Sequence, residues 1–223
     1  MRRILSHIVM HGLLTLAGLA APAAVTPAAA AARDYRIDPV HTRLLFRIDH
    51  AGLSTAMGSF SGITGSLRFD PDDPAATRVE VRIPIDRLDL GDPEWNHTMS
   101  GRGWFDAERH PQARYVADRV EVLDDGRWRI HGQLTLRGQQ REVALDARIN
   151  AHKRHPLTLR RTLGVSATAT LRRSDFGMQR WPNLVGDEVA LLIELEAQRG
   201  RPRDRKSDDR DTTTGEDDHA DPQ

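Results

Sequence analysis

Residues 128–149 read WRIHGQLTLRGQQREVALDARI. Trp128, Ile130, Leu134 and Leu136 alternate with Arg129, His131, Gln133 and Thr135; after the turn RGQQ, Val143, Leu145, Ala147 and Ile149 resume the same rhythm. A period of two is what a strand with one buried face requires, and a glycine-containing turn between two such runs marks an antiparallel hairpin. The rhythm continues outward in both directions. Leu44, Phe46 and Ile48 keep it, as do Leu67 with Phe69, and Val79, Val81, Ile83 and Ile85. Val120 and Val122 follow, then Val165, Ala167, Ala169 and Leu171, and finally Val189, Leu191, Ile193 and Leu195.

The count is about eight strands, separated by turn clusters such as DPDDP, DDG and WPNLVGD. No long amphipathic helix interrupts them; short helical pieces are expected over Leu53 to Met57, Glu94 to Ser100 and Phe105 to Arg109, the last ended by Pro111. Pro84 within a strand pattern predicts an edge, a bulge or a barrel corner. Antiparallel strands without covering helices must close on themselves or pair as a sandwich. The inward face mixes Phe46 and Trp128 with Gly65, Gly132, Ala147, Ala167 and Ala169. Small residues there leave room for a lumen, although alanines packed against large neighbours give the same pattern. The patterning favours a barrel, and one of about eight strands can hold a small ligand.

The 223 residues are 39% hydrophobic and 29% charged, with zero net charge and no basic stripe, which argues against nucleic acid as the main partner. Residues 1–32 carry Arg2 and Arg3, an apolar run from Ile4 to Ala20 and an alanine-rich tract, the order of an export signal, with cleavage expected near 23 or 32. A periplasmic or secreted location follows as an expectation. The absence of cysteine excludes disulfides, a lipid-anchor cysteine and thiolate chemistry. Residues 199–223 alternate charges with almost nothing apolar and are expected to be a disordered tail, leaving 33–198 as one folded unit.

Several segments of that unit coincide with one family pattern. YRIDPVHTRLLFRIDHAGLSTAMGSFSGITGSLRFDPDDP supplies Asp38, Pro39, His41, His50, Gly58, Phe60, Gly65, Leu67, Phe69 and Asp70. GRGWFDAERHPQARYVADRV, GQLTLRGQQREVAL, RRSDFGM and VGDEVALLIELEA follow in order. Together they resemble the YceI-like family of lipocalin-like, polyisoprenoid-binding proteins, over about Tyr35 to Ala197. The resemblance implies an extended antiparallel barrel whose apolar lumen holds a long-chain isoprenoid, a quinone or a similar amphiphile; transient contact with a membrane or membrane redox proteins is a further expectation. Trp95 and Trp104, and the basic stretch NAHKRHPLTLRR (Asn150 to Arg161), depart from the family pattern and are expected in loops at the rim.

On that reading Phe46, Leu53, Met57, Phe60, Trp104, Phe105, Phe176, Met178 and Trp181 are candidates to line the lumen or its mouth, since methionine and aromatic walls adapt to a flexible chain. Phe46 and Phe60 read equally well as core. A diphosphate head group would suit Arg102, Arg172, Arg173 or Arg180; a quinone would suit His41, His50 or Asn96. Ser174 beside Asp175 raises a hydrolase, but no Gly-x-Ser-x-Gly elbow accompanies it, so the pair reads as a turn. His41, His50, His97 and His110 lack metal-motif spacing. No catalytic residue, metal site or cofactor is assigned beyond the lipid. The rivals are an enzyme or histidine-based redox protein on the same barrel, and a stress-response barrel filled by its own side chains.

Overall fold

The computed structural model describes residues 32–200. The expected export signal lies outside them except for Ala32. Of the expected tail only Arg199 and Gly200 lie inside, and Arg199 still belongs to the last strand. In chain order the elements are β1 (Arg33–Ile37), β2 (Arg43–His50), β3 (Ser54–Phe60), β4 (Thr64–Phe69), β5 (Arg78–Pro84) and β6 (Leu88–Asp89). Then come α1 (Pro93–Ser100), β7 (Gln112–Val122), β8 (Trp128–Leu136), β9 (Gln139–Arg154), β10 (Arg161–Arg172) and β11 (Val185–Arg199).

The eleven strands build an eight-stranded closed barrel in the order β1-β4-β5-β7-β8-β9-β10-β11, with β11 pairing back onto β1 through Tyr35 opposite Arg199. Every pairing is antiparallel, and the closure leaves no ring strand with a fully open edge. β2, β3 and β6 lengthen one end of the wall from the amino-terminal half of β11. The count of eight holds because the first three wall segments are each broken: β1 from β2, β3 from β4, and β5 from β6. At the first break Thr42 replaces the ladder, its hydroxyl donating to the Glu196 carbonyl and accepting from the Glu196 N–H. Pro84, which has no N–H to give, ends β5 at a barrel corner where the 3-10 turn Ile85–Arg87 leads into β6.

Two of the expected short helices do not form. Residues 54–57 belong to β3, and 105–109 are successive turns around Asp106; the third expectation corresponds to α1, capped by the Asp92 side chain on the Trp95 N–H. The small inward residues also differ in role. At Gly132 a Cβ would sit 2.5 Å from the Tyr115 ring. The space is therefore taken by Tyr115, whose hydroxyl donates to the Ile130 and Val143 carbonyls, both at 3.0 Å. Gly65, at φ +151°, lets the Glu80 carbonyl of β5 approach to 2.1 Å from where a Cβ would be. The expected rim segments lie at opposite ends: α1 and its following loop at one, the β9–β10 hairpin at the other.

At the hairpin end Tyr35, Phe69 and His152 pack edge to face and Trp128 lies tilted against Phe69, with ring centroids 5.2–6.1 Å apart. The Tyr35 hydroxyl lies 2.7 Å from His152 Nε2, which accepts it when neutral. Burial, aided by the Arg161 charge, pulls the His152 pKa below its ordinary 6.5. The folded state then resists a proton that the unfolded chain accepts. This stability is present above pH 6.5 and is lost as pH falls below it. Thermal unfolding between pH 7 and pH 5 should show the wild type losing more stability than His152→Gln; parallel profiles would refute the assignment.

Candidate functional site

The barrel encloses a cavity of about 360 Å³, within the range of small-molecule sites. Inward residues of nearly every strand line it, from Leu44 and Phe46 on β2 to Leu191, Ile193 and Leu195 on β11. Of the lining residues only His50, Trp95, Thr98 and Trp181 are exposed, and all four belong to the α1 end. At the other end Phe69, Trp128 and Leu163 are buried. The cavity therefore opens at α1 and is closed at the hairpin end by the aromatic cluster. A barrel filled by its own side chains does not describe this interior.

The mouth is built by three loops. Trp104, 3% exposed, lies edge to face with Trp181 at 5.8 Å and beneath the Arg173 guanidinium, 5.5 Å from its centroid. Phe46, Phe60 and Phe105 continue the aromatic wall inward at 5.8 and 5.5 Å. Arg137, at the β8–β9 turn, donates to the Gly177 carbonyl and to the Arg102 carbonyl at 2.7 Å, so one side chain clasps both mouth loops. α1 contributes Trp95, whose ring is 6.4 Å from that of His50.

Of the residues expected at the lumen or rim, Phe46, Phe60, Trp104, Phe105, Met178 and Trp181 line the cavity. Three do not. Phe176 is 1% exposed and packs into the core behind the wall. Leu53 is 86% exposed in the β2–β3 turn, and Met57 is 68% exposed on the outer face of β3. The reason is the period: a helix over 53–57 would gather both on one face, whereas the strand sends Ala56 inward and Met57 outward.

Among head-group candidates, His50 stands at the mouth. Arg173 lines the cavity, but its guanidinium is spent on backbone, donating to the Gly186, Met178 and Val185 carbonyls at 2.8, 2.6 and 2.8 Å. Burial lowers its pKa, with Asp187 opposing. His41 lies in the β1–β2 turn on the outer wall, 3.0 Å from Asp38, whose hydrogen bond raises the ring's pKa. Asn96 accepts the Leu90 N–H at 2.8 Å and serves the backbone; Arg102 is exposed and does not reach the cavity. Ser174 donates its hydroxyl to Asp187 at 2.8 Å and anchors the β10–β11 connection. Among the described residues no three His, Asp or Glu side chains gather as metal ligands.

Sequence reasoning missed Thr98, Met99 and Leu90 as lining residues. It also missed two threonines in the wall: Thr42, satisfied by Glu196, and Thr77, buried with its hydroxyl unpartnered. A helical reading of 94–100 with an inward face was the available signal for Thr98 and Met99; Leu90 lies before that segment and had none. Nothing local marks the threonines.

The family model described as YceI-like domain matches residues 35–197. A UPF0312 protein of Yersinia pestis (strain Pestoides F) is 31% identical over 185 residues, covering 82% of this chain and 95% of the relative. One from Photorhabdus laumondii subsp. laumondii is 32% identical over 189 residues, covering 83% and 97%. Among solved structures, Burkholderia cenocepacia BcnA superposes with a TM-score of 0.62 at 23% identity, covering 72% of this chain and 98% of that one. A polyisoprenoid binding domain from Saccharophagus degradans, implicated in plant cell wall breakdown, gives 0.53 at 12% identity, covering 74% and 98%. At such identities the two structures speak to the fold alone.

Proposed function

Since the chain belongs to the YceI-like family, we propose that it is an exported binding protein that holds a long-chain isoprenoid or similar amphiphile in its lumen for carriage, storage or sequestration. The observation that carries this reading is the apolar lumen of about 360 Å³, open at one end through a tryptophan-lined mouth. The name of the Saccharophagus degradans domain points the same way. Each buried methylene contributes about 0.8 kcal/mol, so ten of them contribute about 8 kcal/mol before ordering costs. Such a ligand needs no strong polar contact. Polar groups at the mouth, His50 and Thr98 foremost, favour a head group there with the tail directed towards Phe69 and Trp128.

Binding rather than catalysis fits the engagement of Ser174 with Asp187 and of Arg173 with three carbonyls. Native mass spectrometry of the full chain purified from an exporting host tests the reading. One isoprenoid-mass lipid per barrel is expected. A folded protein that arrives empty and takes up neither a polyprenol nor an isoprenoid quinone from detergent solution would overturn it.

A further inference from the structure

The β9–β10 hairpin projects from the closed end of the barrel, away from the mouth. No acidic residue occurs between Asp146 and Asp175, while Lys153, Arg154, Arg160 and Arg161 flank the hairpin tip and are exposed. None of these four forms an ion pair among the described residues. Arg154 and Arg161 are direct cross-strand partners, an arrangement of like charges that opposes pairing unless an anion lies between them. Between the cations the tip presents Leu157 and Leu159, 87% and 65% exposed. His155 shapes the tip by accepting the Leu157 and Thr158 N–H groups, and Leu159 is held at φ +57°.

Two bare leucines ringed by unpaired cations match an anionic membrane surface, where apolar side chains enter the interface and guanidinium groups meet phosphates. We propose that residues 153–161 are a docking finger for an anionic lipid bilayer. At the mouth end the exposed Trp95 and Trp181 lie among both signs of charge, Asp92 and Glu94 against Arg102 and Arg180, whereas the finger itself carries cations alone; the acidic residues of the closed end, Asp72, Asp73, Asp124 and Asp125, belong to the β4–β5 and β7–β8 turns. Docking through the finger places the closed end on the membrane and turns the mouth away from it.

The absence of cysteine makes a clean probe available. Leu157→Cys in the full chain, labelled with a nitrobenzoxadiazole dye, is mixed with phosphatidylglycerol or with phosphatidylcholine vesicles. A blue shift is expected with the first only, reversed by salt, with affinity reduced at least about tenfold by Arg154→Glu with Arg161→Glu. An unmoved dye, or equal binding by the charge-reversed variant, overturns the proposal. A shift that needs removal of residues 201–223 assigns the surface to the chain's own acidic end, and one that rises with protein concentration without vesicles assigns it to a second copy; either result also overturns it. Occupancy of the lumen is read separately by mass, so the two ideas fail independently.

Discussion

Arg173→Ala is expected to destabilise the protein by about 2–4 kcal/mol, since it leaves several backbone acceptors without their buried donor. The guanidinium satisfies three carbonyls, of Met178, Val185 and Gly186, and covers the Trp104 ring. Each carbonyl left dry costs roughly 1–3 kcal/mol, partly relieved where water enters. The damage falls on the β10–β11 connection, so Met178 and Trp181 lose their positions at the mouth together. Arg173→Lys should rescue little, because an ammonium cannot span three acceptors in a fork. Urea unfolding at pH 7 measures the effect as a lower midpoint at constant slope. A loss below about 1 kcal/mol would show that the network is dispensable.

Ala167→Phe should shorten the lumen. Ala167 is inward, buried and registered against Ala147 on β9, which in turn faces Trp128 on β8. These two alanines make room for the Trp128 ring at the closed end, so a phenyl group here extends into space beside it. If three methylenes of a bound chain are displaced, about 2.4 kcal/mol is lost, roughly fiftyfold in Kd for a long chain. A shorter amphiphile that never reaches the closed end should keep its affinity. Overpacking costs about 1–3 kcal/mol of stability, which circular dichroism separates from the binding loss, and Ala167→Val should give a smaller effect in the same direction. Equal losses for long and short chains would rule out an end-to-end lumen.

Both experiments turn on residues whose roles were unequally legible. The inward set from Leu44 to Leu195 could be written down from alternation, because a strand's side-chain period is local covalent geometry. The same logic located Trp104, Met178 and Trp181 in connections flanking strands. It failed at Leu53 and Met57, where five residues are too few to separate a period of two from 3.6. It also misjudged Arg173, since one charged residue among several in RRSDFGMQR carries no mark that it alone folds inward. Gly132 read as empty space for want of its partner, Tyr115, which comes from the neighbouring strand.

The amino-acid sequence by itself determined about eight strand segments, the buried face of each of those segments, a break at Pro84 and the chain's membership of its family, all properties of short windows or of windows in series. Only the tertiary structure decided that Tyr35 meets Arg199 to close the wall, that one end is stoppered by Phe69, Trp128 and His152, and that the cationic hairpin stands at that stoppered end. Closure depends on pairing between residues distant in the chain. Its register comes from the summed packing of all eight wall strands rather than from any local preference.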